Sequence, residues 1–250
     1  MFPAIYWTLV DHSQIPSDRA KGFLSNAEFQ KLSTLRFPKR RSEWLLGRWA
    51  AKALVHSIPA YRRYSLDEIE IQNAPEGAPY IQPPGGTVSP DGLTISHSDR
   101  FALCAMSLGP AIRIGSDLEM IELHSAAFVT DYFTSDEQRL VASSPVEWRE
   151  AAATLIWSTK ESMLKALEVG LRWDTRKVEV REIDGLRFVD TAYGRWQKIL
   201  VRDLEQENRN WAAWWQRRDQ FILTLAGFTT TQADIQFAHL VEKRLQAGMA

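Results

Sequence analysis

The stretch Ile112-Arg113-Ile114-Gly115-Ser116-Asp117-Leu118-Glu119 constrains this chain more than any other. Ile112 and Ile114 alternate as in a strand with one buried face, and two carboxylates follow two residues apart. In an extended chain, residues i and i+2 point to the same side. Asp117 and Glu119 are therefore predicted to project together from one face of a strand. Side-by-side carboxylates repel unless a cation or a shared proton relieves them. Hard oxygen donors suit Mg²⁺, which takes one or two carboxylates and leaves its other positions to water and substrate phosphates. A strand end running into solvent would show the same acids, so this stretch alone leaves both readings open.

A second stretch bears on the choice. Trp157-Ser158-Thr159-Lys160-Glu161-Ser162-Met163-Leu164-Lys165-Ala166 lies late in a helical run that begins near Trp148. Leu155, Ile156, Met163 and Leu167 form much of an apolar stripe at helical spacing. Glu161 and Lys165 are four apart and so are neighbours on the helix surface. The spacing fits an ordinary ion pair. It equally fits a third metal carboxylate beside a cation that faces an anionic substrate.

Composition removes several alternatives. A formal net charge of −1 gives no global field for nucleic acid, so a polyanion site must be a local patch. The one cysteine, Cys104, rules out an internal disulfide framework and a thiolate zinc cluster. It sits in the apolar run Phe101–Met106 and is predicted to be a buried thiol. No stretch approaches the roughly 20 apolar residues of a membrane span. The N-terminus lacks a basic region, and its apolar run breaks at Asp11 and His12, so no signal peptide is expected and a cytoplasmic location is. Gly-x-x-x-x-Gly-Lys-Ser/Thr, Gly-x-Gly-x-x-Gly, Gly-x-Ser-x-Gly and His-Glu-x-x-His are all absent, which disfavours the common nucleotide-binding and hydrolase types.

In chain order, Ala4–Val10 reads as a strand. Ser25-Asn26-Ala27-Glu28 is a capping box opening a helix to about Leu35. A second helix runs from about Arg40 to Ser57, with Arg41, Leu45, Arg48 and Lys52 along one face. That basic stripe is either a solvated face or an anion grip. Ile69-Glu70-Ile71 is a short strand, and residues 74–92, rich in Pro and Gly, read as a loop without regular structure. Strands follow at Leu93–Ile95 and Phe101–Ser107. Helices are expected around Ser125–Tyr132 and from Ser135, where Glu137 is a first-turn acid suited to the helix dipole. Arg172–Val180 leads back to strand, and further strands are expected at Leu186–Val189, Trp196–Val201 and Trp211–Gln216. Trp211, Trp214 and Trp215 cannot share one face of a strand, so one is expected to be exposed. Asp234 opens a predicted amphipathic capping helix through Phe237, Leu240, Val241 and Leu245. Asp99–Ala105 echoes Asp219–Leu225 in hydrophobic pattern, as if the chain held two similar halves.

Gly-x-Asp-x-Glu, followed some forty residues later by Trp-Ser-x-Lys-Glu-Ser-x-x-Lys, resembles the signature pair of the 4′-phosphopantetheinyl transferases, in the long form with two similar halves in one chain. Four further segments match in the family's order: Lys39–Arg48 its basic helix, Gly77-x-Pro79 its Gly-Lys-Pro turn, Ile95-Ser96-His97-Ser98 its Ser-His segment, and Phe133-Thr134-x-x-Glu137 its Phe-Ser/Thr-x-x-Glu segment. Together they cover about residues 20 to 180.

The resemblance implies an α+β fold of two pseudo-twofold halves, residues 1–109 and 110–250, the latter with the metal-binding motifs and a C-terminal helix. It implies Mg²⁺-dependent transfer, with Mn²⁺ as the alternative ion, of the phosphopantetheine arm of coenzyme A to a serine of an apo carrier protein. Adenosine 3′,5′-bisphosphate is the implied by-product, and a monomer the implied state. Asp117, Glu119 and Glu161 are implied as metal ligands. Lys165 and Lys160 are implied as phosphate-neutralising cations, and Arg41, Arg48, Gly77, Pro79, Ser96 and His97 as further coenzyme A contacts. The proton of the serine is assigned to Glu161, Glu137 or a metal-bound water. Two departures stand out: Ala78 replaces the family's lysine, and Ser116 replaces its Ile or Val. A buried Ser116 hydroxyl would need a partner. Two other readings are a degenerate member that binds coenzyme A or a carrier without turnover, and a different Mg²⁺-dependent phosphoester enzyme using the same carboxylates.

Overall fold

The computed structural model describes residues 4–16, 22–183, 194–229, 235 and 238–243. The chain divides into two compact α+β units, one of residues 3–110 with 238–250, the other of residues 111–237 with 1–2.

In the first unit, β1 (Ala4–Asp11) is followed by α1 (Asn26–Thr34), α2 (Pro38–His56), the hairpin β2 (Glu70–Asn73) and β3 (Pro79–Gln82), and then β4 (Gly92–Ser98) and β5 (Phe101–Ser107). Ser25 and Glu28 close a reciprocal capping box on α1, as their spacing predicts. Pro38 starts α2 at a position where its missing N–H costs nothing. α2 lies on β5, β1 and β4. It buries Leu46, Trp49, Ala50, Ala53 and Leu54 against Val10, Ala102, Cys104 and Met106. Cys104 is buried, as expected. β3 falls inside the stretch expected to lack regular structure. Tyr80 and Ile81 supply the pairing residues there, opposite Gln72 and Ile71.

The second unit carries β6 (Ile112–Met120), α3 (Ala126–Tyr132), α4 (Ser135–Ser143), α5 (Arg149–Ala166), β7 (Val178–Ile183), β8 (Gln197–Asp203), β9 (Trp211–Arg218) and β10 (Phe221–Thr229). Its antiparallel sheet runs β6-β10-β9-β8-β7, and α5 lies across β6 and β10. Trp211, Trp214 and Trp215 are all buried, contrary to the expectation that one would be exposed. Both faces of β9 are covered, and the alternation of the strand therefore no longer separates inside from outside. The strand expected at Leu186–Val189 lies outside the described residues.

The C-terminal segment is a correction. Leu240 and Val241, read as helical, belong to strand β11 (His239–Glu242), which pairs in parallel with β1. It extends the first unit's sheet to the order β11-β1-β5-β4. Backbone pairing with the open edge of β1 prevails over a weak helical pattern. No described helix is long and apolar enough to cross a membrane.

The same device occurs in each unit. Glu28, third residue of α1, bonds the Ile71 N–H of β2 at 3.0 Å and pairs with Lys52 of α2. Glu137, third residue of α4, bonds the Val180 N–H of β7 at 2.8 Å and Lys160 of α5 at 2.6 Å. Each carboxylate thus ties a helix start, a long helix and a strand. The turns entering β5 and β10 also match, with Asp99 and Asp219 both at φ 52°. Aspartate tolerates that left-handed conformation better than most residues.

Candidate active site

β6 and α5 position the acidic residues. Gly115 is the point of closest approach: a Cβ there would lie 1.9 Å from the Ser162 carbonyl oxygen and 2.7 Å from the Ala166 nitrogen. Only glycine lets the helix rest so close to the strand. Since side chains alternate, Asp117 and Glu119 face α5 with Gly115. Ser116 faces the other way and is fully buried. Behind the acids, Ser158 and Ser162 of α5 meet Thr224 of β10 at 2.8 and 2.7 Å, and Thr224 stands opposite Asp117 in the sheet. The serines of the Trp-Ser-x-Lys-Glu-Ser stretch therefore fasten helix to sheet.

Lys165 stands among the acids. Its Nζ is 2.6 Å from Asp117 Oδ1 and 3.8 Å from Glu161 Oε2. Burial opposes its charge, but Asp117 and Glu161 outweigh that and raise its pKa above the ordinary lysine value. Glu119 is pushed up to about 8, by burial first and by Asp117 next, against the pull of Lys165 and of a hydrogen bond from Trp157. Glu161 is raised as well, by burial and by Asp117, with Lys165 opposing. The indole of Trp157 is held by ring contacts with Phe128 and Tyr132 of α3, at 4.9 and 5.3 Å between centroids.

Crowded carboxylates with raised pKa values favour a cation. The donor set is all oxygen, which fits a hard divalent ion. Among the described residues, however, no three His, Cys, Asp or Glu side chains are drawn together as a ready set of metal ligands. The carboxylates are arranged around the lysine ammonium.

Glu137 and Lys160 are placed elsewhere. Both side chains are completely buried, paired at 2.6 Å, and Lys160 Nζ also donates to the Val178 carbonyl at 2.7 Å. Glu137 additionally accepts from the Thr134 and Val180 backbone. Each helical residue turns by about 100°, so Lys160 projects well away from its neighbour Glu161, into the core. The pair is enclosed in the scaffold, between α4, α5 and β7.

A second site lies within the first unit. A cavity of about 240 Å³ is lined by Arg48, Trp44 and Arg40 of α2, by Asn73, Gly77 and Pro79 of the β2–β3 hairpin, and by His97 of β4. Arg48 is only 7% exposed. Its Nη2 donates to Asn73 Oδ1 at 2.7 Å, and its guanidinium lies 4.9 Å from the Trp44 ring centre. Asn73 in turn donates to the Gly77 carbonyl at 2.7 Å, fixing the turn. Burial lowers the pKa of Arg48, and Glu28 opposes this at 3.8 Å. Glu28 is already engaged by Lys52, Ser25 and Ile71. In the repeat, the position four residues before Lys160 is Ile156, so Arg48 is a buried cation that the scaffold device itself does not require.

Of the residues expected here, Arg48, Gly77, Pro79 and His97 line the cavity. Arg41 does not: it donates to the Leu32 and Leu35 carbonyls at the end of α1. Arg41 and Arg48 share a helix face about 10 Å apart along the axis, and Arg41 is turned to the end of α1 rather than to the cavity. Ser96 is buried beside the lining. Arg40, Trp44 and Asn73 were missed by sequence reasoning. Trp44 was visible as the residue one turn before Arg48, whereas Asn73 becomes a partner only through the hairpin.

A family model described as the 4′-phosphopantetheinyl transferase superfamily matches residues 113–226. The 4′-phosphopantetheinyl transferase HetI of Nostoc is 26% identical over 152 residues, 59% of this chain and 61% of that protein. The 4′-phosphopantetheinyl transferase psf-1 of Bacillus pumilus is 24% identical over 156 residues, 62% of this chain and 63% of that protein. The match thus spans less than two thirds of the length of either. A holo-[acyl-carrier-protein] synthase of Streptococcus suis is 34% identical over 111 residues, 42% of this chain and 85% of that protein.

Proposed function

We propose that this chain, which belongs to the 4′-phosphopantetheinyl transferase superfamily, moves the phosphopantetheine arm of coenzyme A onto a serine of an apo carrier protein. The observation that carries the proposal is the cluster of Asp117, Glu119 and Glu161 about Lys165, inside the stretch matched by the family. Displacement at a pyrophosphate phosphorus demands positioning and charge neutralisation more than covalent help from the protein.

In this reading the serine oxygen forms a bond to the phosphorus that bears the pantetheine arm. The bond from that phosphorus to the adenosine 3′,5′-bisphosphate oxygen breaks, and the bisphosphate leaves. Asp117, Glu119 and Glu161 would hold Mg²⁺. Bound there, it supplies positive charge to the pyrophosphate and to the departing oxygen. Lys165 offers its ammonium to the same phosphates. Glu161, half-buried and with a raised pKa, is the carboxylate suited to take the serine proton. Arg48 and His97, with Arg40 beside them, hold the 3′-phosphate end, where a guanidinium donates to phosphate with two parallel N–H groups. Gly77 and Pro79 flank the adenine. Ala78 brings no cation to this turn, which leaves Arg48 as its buried positive charge. We further infer a cytoplasmic monomer that does not act on nucleic acid, with the phosphate grip before residue 110 and the metal acids after it.

Intact mass of an apo carrier protein incubated with the chain, coenzyme A and Mg²⁺ tests this. A gain of one phosphopantetheine arm, abolished by EDTA, is expected. No gain with fatty-acid, polyketide and peptide carriers alike would overturn the transferase reading and favour a binding protein, which coenzyme A titration then tests.

A further inference from the structure

Lys165 differs from Lys52 and Lys160, the buried lysines at the two carboxylates described above, in its exposure. Lys52 and Lys160 have no exposed side-chain surface, and each bonds a carboxylate and a backbone carbonyl of its own unit's core. The Lys165 side chain keeps 28% of its exposure. Its Nζ reaches carboxylates of the acidic cluster, Asp117 Oδ1 at 2.6 Å and Glu161 Oε2 at 3.8 Å. The four-carbon stem, part of whose surface is exposed, is flexible enough for the ammonium to move while α5 stays fixed to the sheet through Ser158 and Ser162.

The charges show what such movement would do. Asp117 and Glu161 lie within 4 Å of the ammonium and Glu119 adds its field, so with all three acids ionised the cluster carries two negative charges in excess. A divalent cation would balance that excess. Yet the cation and the ammonium seek the same Asp117 oxygen, and at contact distance in a partly buried site they repel one another strongly. Both cannot hold Asp117 Oδ1 as it is held in this structure.

We propose that Lys165 is the resident counter-ion of the acidic cluster, and that a divalent cation binds by displacing its ammonium from Asp117, so that Lys165 sets the cation affinity of the site. This rests on the metal reading given above. Lys165 weakens cation binding in proportion to its hold on Asp117. Once displaced, its charge remains at the rim of the cluster, next to the acids, as a partner for an incoming phosphate.

Calorimetric titration of Mg²⁺ into the full chain, with neither coenzyme A nor carrier present, tests this directly. The buffer is alkaline enough to keep Glu119 ionised. Lys165→Met is expected to bind Mg²⁺ at least about tenfold more tightly than the parent, because one competing unit charge is removed. Lys165→Arg, which keeps the charge, is expected to stay close to the parent. In EDTA, Lys165→Met should melt below the parent, and Mg²⁺ should raise its melting temperature by more. Lys165→Gln repeats the charge removal should the Met variant fail to fold. Equal or weaker Mg²⁺ binding by the charge-removing variants overturns the proposal. Absence of Mg²⁺ binding in parent and variants alike overturns it together with the metal assignment. The carrier mass assay on the parent reports separately whether the transferase reading survives.

Discussion

Glu119 shows how burial makes a single residue depend on its surroundings. Its carboxyl is raised from 4.5 to about 8, chiefly by burial and then by Asp117. The folded protein therefore binds more protons than the unfolded chain between those two values. Stability falls as pH rises through this window, and levels off above about 8. Glu161 is raised too and adds to the same slope. Melting temperatures measured in EDTA across this range should decline for the parent, and Glu119→Gln should flatten the decline and melt higher at the alkaline end. A parent curve that rises with pH would contradict the placement of these acids. Arg48 is the corresponding residue in the first unit. Arg48→Ala should weaken coenzyme A binding by about 1.5–3 kcal/mol, the worth of a charge-assisted hydrogen bond, as read by calorimetry. Unchanged affinity would make Arg48 a purely structural cation. The shared face of Asp117 and Glu119 was legible because strand geometry repeats every two residues. The Lys165–Asp117 contact was not, since it joins residues 48 apart that meet only when α5 settles on β6.

At the level of elements, α5 is held by two features with different origins. Gly115 permits close packing on β6. Gly115→Ala forces a Cβ into the Ser162 carbonyl and the Ala166 nitrogen, which are backbone atoms that cannot rotate aside. It should destabilise by about 3 kcal/mol or more and shift α5 enough to lower transfer sharply. Urea unfolding together with the carrier assay measures both effects; a variant of parental stability and activity would deny the close contact. The buried Glu137–Lys160 pair anchors the same helix to α4 and β7. Lys160→Met leaves Glu137 charged and buried beside an apolar group, and should cost about 3–5 kcal/mol. A loss below 1 kcal/mol in chemical denaturation would mean the pair does not hold the helix. The family motif suggested a phosphate contact for Lys160, but helical phase sends it inward while Glu161 and Lys165 remain together outside. That difference was present in the spacing and was overridden by the motif.

For the whole molecule, the repeated carboxylate–lysine device points to one structural unit used twice and then specialised. The first copy adds Arg48 and its cavity; the second adds the acids around Lys165. The sheet of the first unit is completed by β11, whose residues come from the far end of the chain. Deleting residues 238–250 exposes the edge of β1, and should lower the melting temperature and promote association through that edge, read by light scattering. A truncated chain with parental melting and no aggregation would show that β11 adds nothing.

The amino-acid sequence by itself determined what depends on near neighbours. Period-two and helical spacing defined the faces of β6 and α5, Ser25–Glu28 defined the start of α1, and Asp99 and Asp219 marked matching turns. These follow from local backbone geometry, which a few consecutive residues fix. The tertiary structure alone decided which cation answers which anion. Lys165 meets Asp117, Lys160 meets Glu137, Arg48 meets Asn73, and Val241 joins Tyr6 across a sheet edge. Those choices depend on burial and on contacts between residues distant in the chain, where charge is stable only beside its partner.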